Sequence, residues 1–547
     1  MKLLLASPAH RLGLALGLVL AASNAAAQTA PVPNAGSISQ QNRQSQQEIE
    51  QQSLPQLNGP AVVGPTAPEQ LVGPPGGATF LLKSVTFDRS HFIPEAELNE
   101  IAARFVGKKI DNSGLQLLVK LVNDIFAKRR IITALAYLPK QDLARGALHV
   151  AIIEGRVGKV EIKGNERLPS YWVQSAVRLD PGSVVDVPQV ERDVAMFNAL
   201  RNAQLKASLQ PGAQFGLTDI ALSVLEPPRD SFQAYIDNMG VDSVGRGEGG
   251  LNVQHYGMLG LDDRLTAAVV GSKGDLNGNF GYSLAADPWG GKLGLSAGVG
   301  RIRVVSGPYT SLNIHGQSQN EAVNFAQPLY ADPNWVFVAN AQASREVSVS
   351  NSSGLDFTNN ITKKATGGAT VRFANDTFNI TVAPNYAFGH TQFVLTGTSQ
   401  NFSELTGTEY ATVRLPFGFV GVVNGAGQWA NQKLLSSDQL FEIGGPTTVR
   451  GYVAESAAGY AGFYTNVELH HKLDNIKDNL DVFAFYDHGS VYSTFPAAVS
   501  LNSVGAGVSW EVNRYFVADA SVGVPVTKTF GVQPDFTAYF RLTARWP

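Results

Sequence analysis

The sequence predicts a β-rich, multidomain protein that ends in a transmembrane antiparallel β-barrel of about 16 strands. Two small α+β domains precede this barrel, and a polar helix precedes both domains. Three observations lead to this fold class: an N-terminus typical of exported proteins, an internal repeat, and a long C-terminal region in which apolar residues alternate with small or polar ones. With 547 residues, of which only 16% are charged, the chain is too long for one ordinary domain and too sparsely charged for a typical soluble protein.

Composition excludes several kinds of function. The formal net charge is -3 and the pI is near 6.3, so nothing in the overall charge favours nucleic acid as a partner. The chain has no cysteine, which removes disulfide frameworks, zinc sites with thiolate ligands and cysteine nucleophiles.

The N-terminus predicts a secretory signal peptide over residues 1–27. Lys2 and Arg11 precede an apolar run from Leu12 to Ala22, and small residues end the segment before Gln28. A buried helix is the alternative, but the apolar run is short and ends in a site of the A-x-A type. No later segment has the ~20 consecutive apolar residues that a membrane-spanning helix needs. We therefore expect an exported protein without a helical anchor.

The segment that follows is polar and rich in glutamine. Residues 28–58 include "SISQQNRQSQQEIEQQS", which has good helix formers but no continuous apolar stripe. It is either a disordered linker or a polar helix inside a water-filled cavity, where it would plug a pore. Residues 59–78 are rich in proline and glycine and predict an extended linker.

Residues 79–154 and 155–228 form a tandem repeat. Val85 aligns with Val160, a spacing of 160 − 85 = 75 residues. The same spacing relates four further pairs, which are Pro94 with Pro169, Gly107 with Gly182, Asp111 with Asp186, and Asn123 with Asn198. Each copy predicts a strand, two helices and two further strands, so we expect two small α+β domains of the same design.

From residue 229 to residue 547 the hydrophobic period is two. "KLGLSAGVGRIRV" places Leu293 and Leu295 on one face and glycine or serine on the other. Near the C-terminus, Arg541 and Arg545 alternate with apolar residues. An apolar face turned inward would indicate a sandwich, whereas an apolar face turned outward indicates a membrane barrel with a polar lumen. The signal peptide, the length of the region and the two arginines favour the barrel.

Two patterns that suggest chemistry are better interpreted as structural. "GLSAG" matches the G-x-S-x-G nucleophile elbow, but Ser296 lies inside a period-two strand and not at a strand–turn–helix junction. His470 and His471 are adjacent, so in a strand their side chains point to opposite faces and do not share a metal. We expect no enzymatic activity, no cofactor and no metal site.

One pair of motifs is of greater interest. "GGPTTVRGY" places Arg450 in a glycine-rich stretch, and "DVFAFYDHGSV" places Asp487 on the polar face of a predicted strand. From these stretches alone, an ion pair and two separately solvated side chains are equally good interpretations.

The complete pattern resembles the outer-membrane transporters of two-partner secretion, the haemolysin secretion/activation family (TpsB; ShlB/FhaC/HecB-like). The resemblance covers the signal peptide, the polar helix, two domains that look like POTRA domains, and a barrel bearing both motifs. The VRGY motif is Val449, Arg450, Gly451 and Tyr452, and the F-x-D-x-G motif is Phe485, Asp487 and Gly489. The resemblance implies that the sixth extracellular loop folds back into the barrel and that Arg450 contacts Asp487. The ending Trp546-Pro547 departs from the terminal aromatic residue usual in outer-membrane barrels.

The resemblance also implies a function. A monomeric barrel in the outer membrane, with its POTRA-like domains in the periplasm, would recognise one large unfolded exoprotein and translocate it to the cell surface without ATP. The implied partners are that exoprotein, whether adhesin, haemolysin or toxin, and outer-membrane lipids, but no nucleic acid. Strand addition along Ala147–Ile153 or Leu205–Leu209 is the expected mode of capture. The alternative is a barrel-assembly factor, which shares VRGY and the barrel but typically has more POTRA domains.

Overall fold

The structure is a computed structural model that describes residues 33–40, 42, 61–64, 76–474, 477–493, 498–531 and 533–546. The predicted signal peptide and most of the glutamine-rich segment lie outside these residues. The described helices are α1 (residues 35–40, with residue 42 also helical), α2 (Glu95–Ala103), α3 (Asn112–Lys128), α4 (Ser170–Ala176) and α5 (Val187–Asn198). Within this part of the chain, every helix is too short or too polar to cross a membrane.

The first domain is a small sheet covered by α2 and α3. Its strands follow the linker strand β1 (Val62–Val63) and are β2 (Phe80–Leu81), β3 (Ser84–Phe87), β4 (Lys109–Ile110), β5 (Ala134–Tyr137) and β6 (Ala147–Glu154). The main sheet has the order β3-β6-β5, with β6 in the centre. Leu118, Val122 and Phe126 of α3 are buried against Leu148 and Val150 of β6. This packing fixes the helix on one face of the sheet.

The second domain has the same design with one addition. Its strands are β7 (Arg156–Lys163), β8 (Gln204–Pro211) and β9 (Leu217–Leu225). The sheet order is β1-β8-β9-β7, so the linker strand β1 adds to the outer edge of β8 in parallel. The linker, expected to be extended throughout, thus contributes a strand to this domain.

Residues related by the repeat spacing have the same roles in both domains. Asp111 caps α3 by accepting the N–H of Gly114, and Asp186 caps α5 in the same way. Asn123 exchanges two hydrogen bonds with the backbone of Ala136, at 3.0 and 2.7 Å. Asn198 does the same with Leu205, at 2.9 and 2.7 Å. These side chains join helix to strand by satisfying backbone groups, which explains why the repeat is visible in polar residues.

Sixteen antiparallel strands form the closed barrel, as the period-two pattern predicted. They are β10 (Asp230–Asp237), β11 (Glu248–Tyr256), β12 (Arg264–Ser272), β13 (Asp275–Ala285), β14 (Lys292–Arg303), β15 (Ile314–Ala331), β16 (Trp335–Ser352), β17 (Leu355–Ala374), β18 (Phe378–Phe393), β19 (Thr398–Arg414), β20 (Phe419–Ala430), β23 (Ala461–Lys472), β24 (Leu480–Tyr492), β25 (Ala498–Asn513), β26 (Phe516–Pro525) and β27 (Thr537–Trp546). Between β20 and β23, the short strands β21 (Phe441–Ile443) and β22 (Ala457–Gly459) form a separate hairpin. The last strand pairs with the first, from Phe232 opposite Trp546 to Asp237 opposite Arg541. Closure removes the free edges that a membrane cannot accommodate.

The two faces of each strand differ as a membrane barrel requires. On β27, Phe540, Leu542 and Trp546 are exposed on the outer wall. On the opposite face Arg541 bonds Asp237 at 2.8 Å. An apolar outer face with a polar lumen is the pattern of a transmembrane barrel, and the predicted fold class is confirmed.

The second α+β domain is docked firmly on the periplasmic turns of the barrel. The buried carboxylate of Asp262, in the turn between β11 and β12, accepts the backbone N–H groups of Asn202 and Ala203 at 2.8 and 2.9 Å. It also accepts the hydroxyl of Tyr256 at 3.0 Å. Arg201 reaches the carbonyl of Asp287 in the next turn. Backbone-directed bonds to a buried carboxylate are geometrically demanding, so they hold this domain in one orientation.

Candidate functional site

The loop between β20 and β23 returns into the barrel. Its hairpin of β21 and β22 lies within this returning segment. Glycine permits the turn after β21, because Gly444 has φ 107° and an added Cβ there would lie 2.6 Å from the carbonyl oxygen of Val453. The loop's apolar residues Ile443, Val449 and Tyr452 pack with wall residues in a buried cluster. This cluster holds the loop against the inner wall.

Arg450 and Asp487 are in direct contact. The Nε and Nη2 groups of Arg450 donate to the two carboxylate oxygens of Asp487 at 2.8 and 2.7 Å. The backbone N–H of Arg450 donates to the same carboxylate at 3.0 Å. Asp487 is fully buried, and the guanidinium lies 3.5 Å above the ring of Phe485. A bidentate pair with cation–π support is a strong and directional contact.

A second carboxylate, which belongs to neither sequence motif, completes the cluster. Glu468 of β23 lies 2.6 Å from Nη1 of Arg450. Its other oxygen lies 2.8 Å from Nε2 of His470, whose Nδ1 is 3.0 Å from Asp481. The alternation of side chains along β23 places Glu468 on the lumenal face, and this was the feature of the sequence that could have identified it. We name Arg450, Glu468, Phe485 and Asp487 the latch cluster.

The other residues of the two motifs shape the space around the latch cluster. A Cβ on Gly489 would lie 2.9 Å from Cγ2 of Val449, so glycine lets the loop approach the wall. Gly451 donates its N–H to the Tyr539 hydroxyl at 3.2 Å and accepts from Thr537 at 3.0 Å. The Tyr452 hydroxyl lies within hydrogen-bonding distance of two backbone carbonyls, that of Asn502 on β25 at 3.0 Å and that of Thr527 in the loop after β26 at 2.9 Å. All seven motif residues therefore lie at one interface between loop and wall.

Helix α1 lies inside the barrel, near the extracellular end of the lumen. The Ala35 N–H donates to Ser350 of β16 at 3.2 Å, and the Asn42 amide donates to Asp275 of β13 at 2.8 Å. Ser37 bonds Glu455 of the re-entrant loop at 3.2 Å. Ile38 is fully buried in a small apolar cluster, although the segment lacks the apolar stripe that would have predicted such burial. A few polar bonds and the buried apolar side chains of Ala35 and Ile38 hold the described part of the helix in place.

The two histidines and the serine motif have structural roles. His470 belongs to the network around Glu468, whereas His471 packs against Phe419 with ring centroids 4.5 Å apart. Ser296 lies within β14, far from any strand–turn–helix junction. Among the described residues, no group of three or more metal-binding side chains is close enough to hold an ion.

Comparisons with known proteins agree with this architecture. The family model for haemolysin secretion/activation protein ShlB/FhaC/HecB matches residues 216–528, and a model for the ShlB-type POTRA domain matches residues 80–155. The outer membrane transporter CdiB-2 of Burkholderia pseudomallei is 26% identical, with 95% of this chain and 97% of that protein covered. The heme/hemopexin transporter protein HuxB of Haemophilus influenzae is 23% identical, with 79% of this chain and 80% of that protein covered.

Solved structures show the same fold. CdiB from Escherichia coli superposes with a TM-score of 0.70 at 18% identity, covering 93% of this chain and 98% of that one. CdiB from Acinetobacter baumannii gives a TM-score of 0.65 at 18% identity, covering 94% of this chain and 100% of that one.

Proposed function

Because this chain belongs to the ShlB/FhaC/HecB family of haemolysin secretion/activation proteins, we propose that it captures one large unfolded exoprotein in the periplasm and passes it through its barrel to the cell surface. It is an outer-membrane transporter of two-partner secretion, and its POTRA region lies in the periplasm. Three finer steps belong to the proposal: how the exoprotein is recognised, what opens the barrel and what drives export.

The parallel pairing of β1 with β8 is the observation that carries the proposal. Val62 lies opposite Ala207, and Val63 lies opposite Ser208. The Ala207 N–H donates to the Ala61 carbonyl at 2.8 Å. An edge that accepts one extended segment through backbone bonds is suited to accept another, because such pairing tolerates varied sequence. The linker thus marks the place where an unfolded exoprotein would bind as a strand.

The position of this edge corrects the expectation from sequence. Strand β6, which contains Ala147–Ile153, is central in its sheet and has no free edge. Strand β8, which contains Leu205–Leu209, has an edge, but β1 covers it. Only two residues of β1 pair with β8, so a longer extended segment would form more backbone bonds and would displace it.

Displacement of β1 would also affect helix α1, which lies in the lumen as a plug. Residues 43–60 join α1 to β1 and lie outside the described residues. The bonds of α1 to the lumen are few and polar, and a typical one contributes only about 0.5–1.5 kcal/mol net. We propose that binding of the exoprotein at β8 frees the linker, and that α1 then leaves the lumen. Capture of the cargo and opening of the channel would thereby be coupled.

Export would proceed without a nucleotide. The sequence contains no P-loop motif, and we propose that folding of the exoprotein outside the cell prevents its return. Each segment that folds outside removes unfolded chain from the channel and makes transport directional.

A disulfide that locks β1 onto β8 tests the coupling. The chain has no cysteine, so Val63→Cys with Ser208→Cys introduces a single pair, at a separation typical of paired strands and within disulfide reach. We expect secretion of the exoprotein to stop in the oxidised protein and to recover after reduction. The matched control is Lys163→Cys with Ser223→Cys, which links β7 to β9 in the same sheet without touching the linker. Normal secretion by the oxidised Val63–Ser208 pair would contradict the proposal.

A further inference from the structure

The outer wall of the barrel has a groove on β16 and β17. Ala341 and Ala343 of β16 lie opposite Gly367 and Ala365 of β17, and all four are exposed. An added Cβ on Gly367 would meet no atom within 4 Å. Inward-facing Ser348 and Ser350 on β16 have the opposite parity and are buried, so the four small residues face the membrane. They form the floor of a strip that lacks large side chains.

Large apolar side chains border this strip on both sides. Val323 of β15 pairs with Ala343, and Phe388 of β18 pairs with Ala365. Their exposed fractions are 48% and 66%. We name this feature, with floor Ala341, Ala343, Ala365 and Gly367 and walls Val323 and Phe388, the outer-wall groove. Its width of two strands is about 10 Å, which suits hydrocarbon chains.

Charged residues lie directly above the outer-wall groove. Arg345 and Lys363 are cross-strand partners two residues beyond Ala343 and Ala365, toward the extracellular side. Glu321 pairs with Arg345 on one side at 3.6 Å, and His390 pairs with Lys363 on the other. Among the described residues, Lys363 has no ion-pair partner. Two basic residues and one acidic residue thus leave a net positive charge at the head of the groove.

The height of this charged row places it at the outer-leaflet surface. Trp335 and Phe337 of β16 stack on each other near the periplasmic end of the barrel, and Trp335 packs on Phe373. Such aromatic residues mark the membrane interface. From Trp335 to Arg345 is ten residues, about 33 Å along the strand. With a strand tilt of about 40°, this is a height of about 25 Å, which equals the apolar band of an outer-membrane barrel.

We propose that the outer-wall groove binds a phosphorylated, multiply acylated glycolipid of the outer leaflet, of the lipopolysaccharide type. Its acyl chains lie on the floor of small residues, and its phosphate groups contact Arg345 and Lys363. The guanidinium binds phosphate oxygens in a planar fork, and the ammonium acts as a point charge. Charge and shape select this occupant together, because a lipid with a single phosphate group would leave one of the two cations without a phosphate at the surface of the apolar band.

Retention of lipid by the purified full-length protein tests the site. The protein is reconstituted with rough-type lipopolysaccharide or with phosphatidylglycerol, washed in detergent, and measured by native mass spectrometry. We expect the parent protein to retain lipopolysaccharide selectively. Arg345→Gln with Lys363→Gln should lower retention roughly 10- to 30-fold, since each basic residue near an anionic surface contributes about 1 kcal/mol. The matched control, Arg414→Gln with Lys472→Gln, removes the same charge near the periplasmic ends of β19 and β23 and should retain the lipid.

A second variant separates the groove from the charges. Ala365→Phe fills the floor and keeps Arg345 and Lys363, and it should also lower retention. Dephosphorylated lipopolysaccharide should bind the parent as weakly as the intact lipid binds the glutamine variant. Heat-modifiable migration confirms that each barrel is folded. Equal retention of lipopolysaccharide and phosphatidylglycerol by the parent would overturn the proposal. Unchanged retention of lipopolysaccharide by the double glutamine variant or by Ala365→Phe would overturn it as well.

Discussion

Replacement of Arg450 by alanine should detach the re-entrant loop from the barrel wall. The change removes the side chain that bonds both Asp487 and Glu468. Asp487 is fully buried and would keep one of its three bonds to residue 450, the one from the backbone N–H. Loss of one partner of a buried ion pair lowers the stability of the folded arrangement by about 3–5 kcal/mol, and by less where water reaches the site.

The expected loss of stability differs between the removal of Arg450 and the removal of Asp487. Asp487→Ala leaves Arg450 paired with Glu468 at 2.6 Å, so we expect a smaller cost of about 1.5–3 kcal/mol. The double variant should be no worse than Arg450→Ala, because the two residues act as one unit. Arg450→Lys should be a partial rescue, since an ammonium lacks the planar fork and stacks less well on Phe485.

The labelling rate of a buried cysteine measures loop release directly. Ala457 lies in the hairpin of the loop and is fully buried, and Ala457→Cys provides the sole thiol of the protein. A cost of about 3 kcal/mol raises the population of the detached loop roughly 100-fold, and maleimide labelling should accelerate accordingly. Secretion should fall in the same order while the barrel level in the outer membrane stays constant. Additive effects in the double variant, or an unchanged labelling rate in Arg450→Ala, would refute the latch.

Four further changes test the plug, the linker and the domain junction. Gly36→Val adds bulk where a Cβ would already lie 2.5 Å from the Cβ of Asp438, so α1 should leave the lumen and single-channel conductance in planar bilayers should rise. Deletion of residues 36–58 should raise the conductance in the same way. Unchanged conductance in both variants would exclude a plug. Val63→Pro removes a backbone donor of β1 and so weakens its pairing with β8, which should increase channel opening. A channel that stays fully closed in this variant would show that the linker does not control the position of α1. Asp262→Ala should weaken the contact between the second α+β domain and the barrel by about 3 kcal/mol, and the junction should then be cleaved by protease. Asp262→Asn is the milder control. Equal protection of the two variants from protease would contradict a rigid junction.

Much of the fold could be predicted from sequence because it depends on local periodicity. The period-two pattern predicted the barrel, since each strand alternates between lipid and lumen. The repeat predicted two similar domains, since Asn123 and Asn198 each satisfy the backbone of a neighbouring strand. Both signals come from contacts within one element or between adjacent ones.

Long-range contacts were harder to predict. Glu468 was missed because the lumenal face of β23 carries several polar residues, and only the return of the loop selects one of them. Strand β1 was missed because two valines within a linker rich in proline and glycine show no periodicity. The edge assigned to β6 was wrong because the order of strands in a sheet depends on the packing of the whole domain.

Comparison of the exported and outer-membrane proteomes tests the central claim most directly. A strain lacking this chain is compared with the same strain carrying the parent or the Arg450→Ala variant. We expect that one large exoprotein disappears from the cell surface and medium without this chain and returns only with the parent, while other outer-membrane barrels remain at normal levels. An unchanged set of exported proteins, together with a general loss of outer-membrane barrels, would contradict export and would identify a barrel-assembly factor instead.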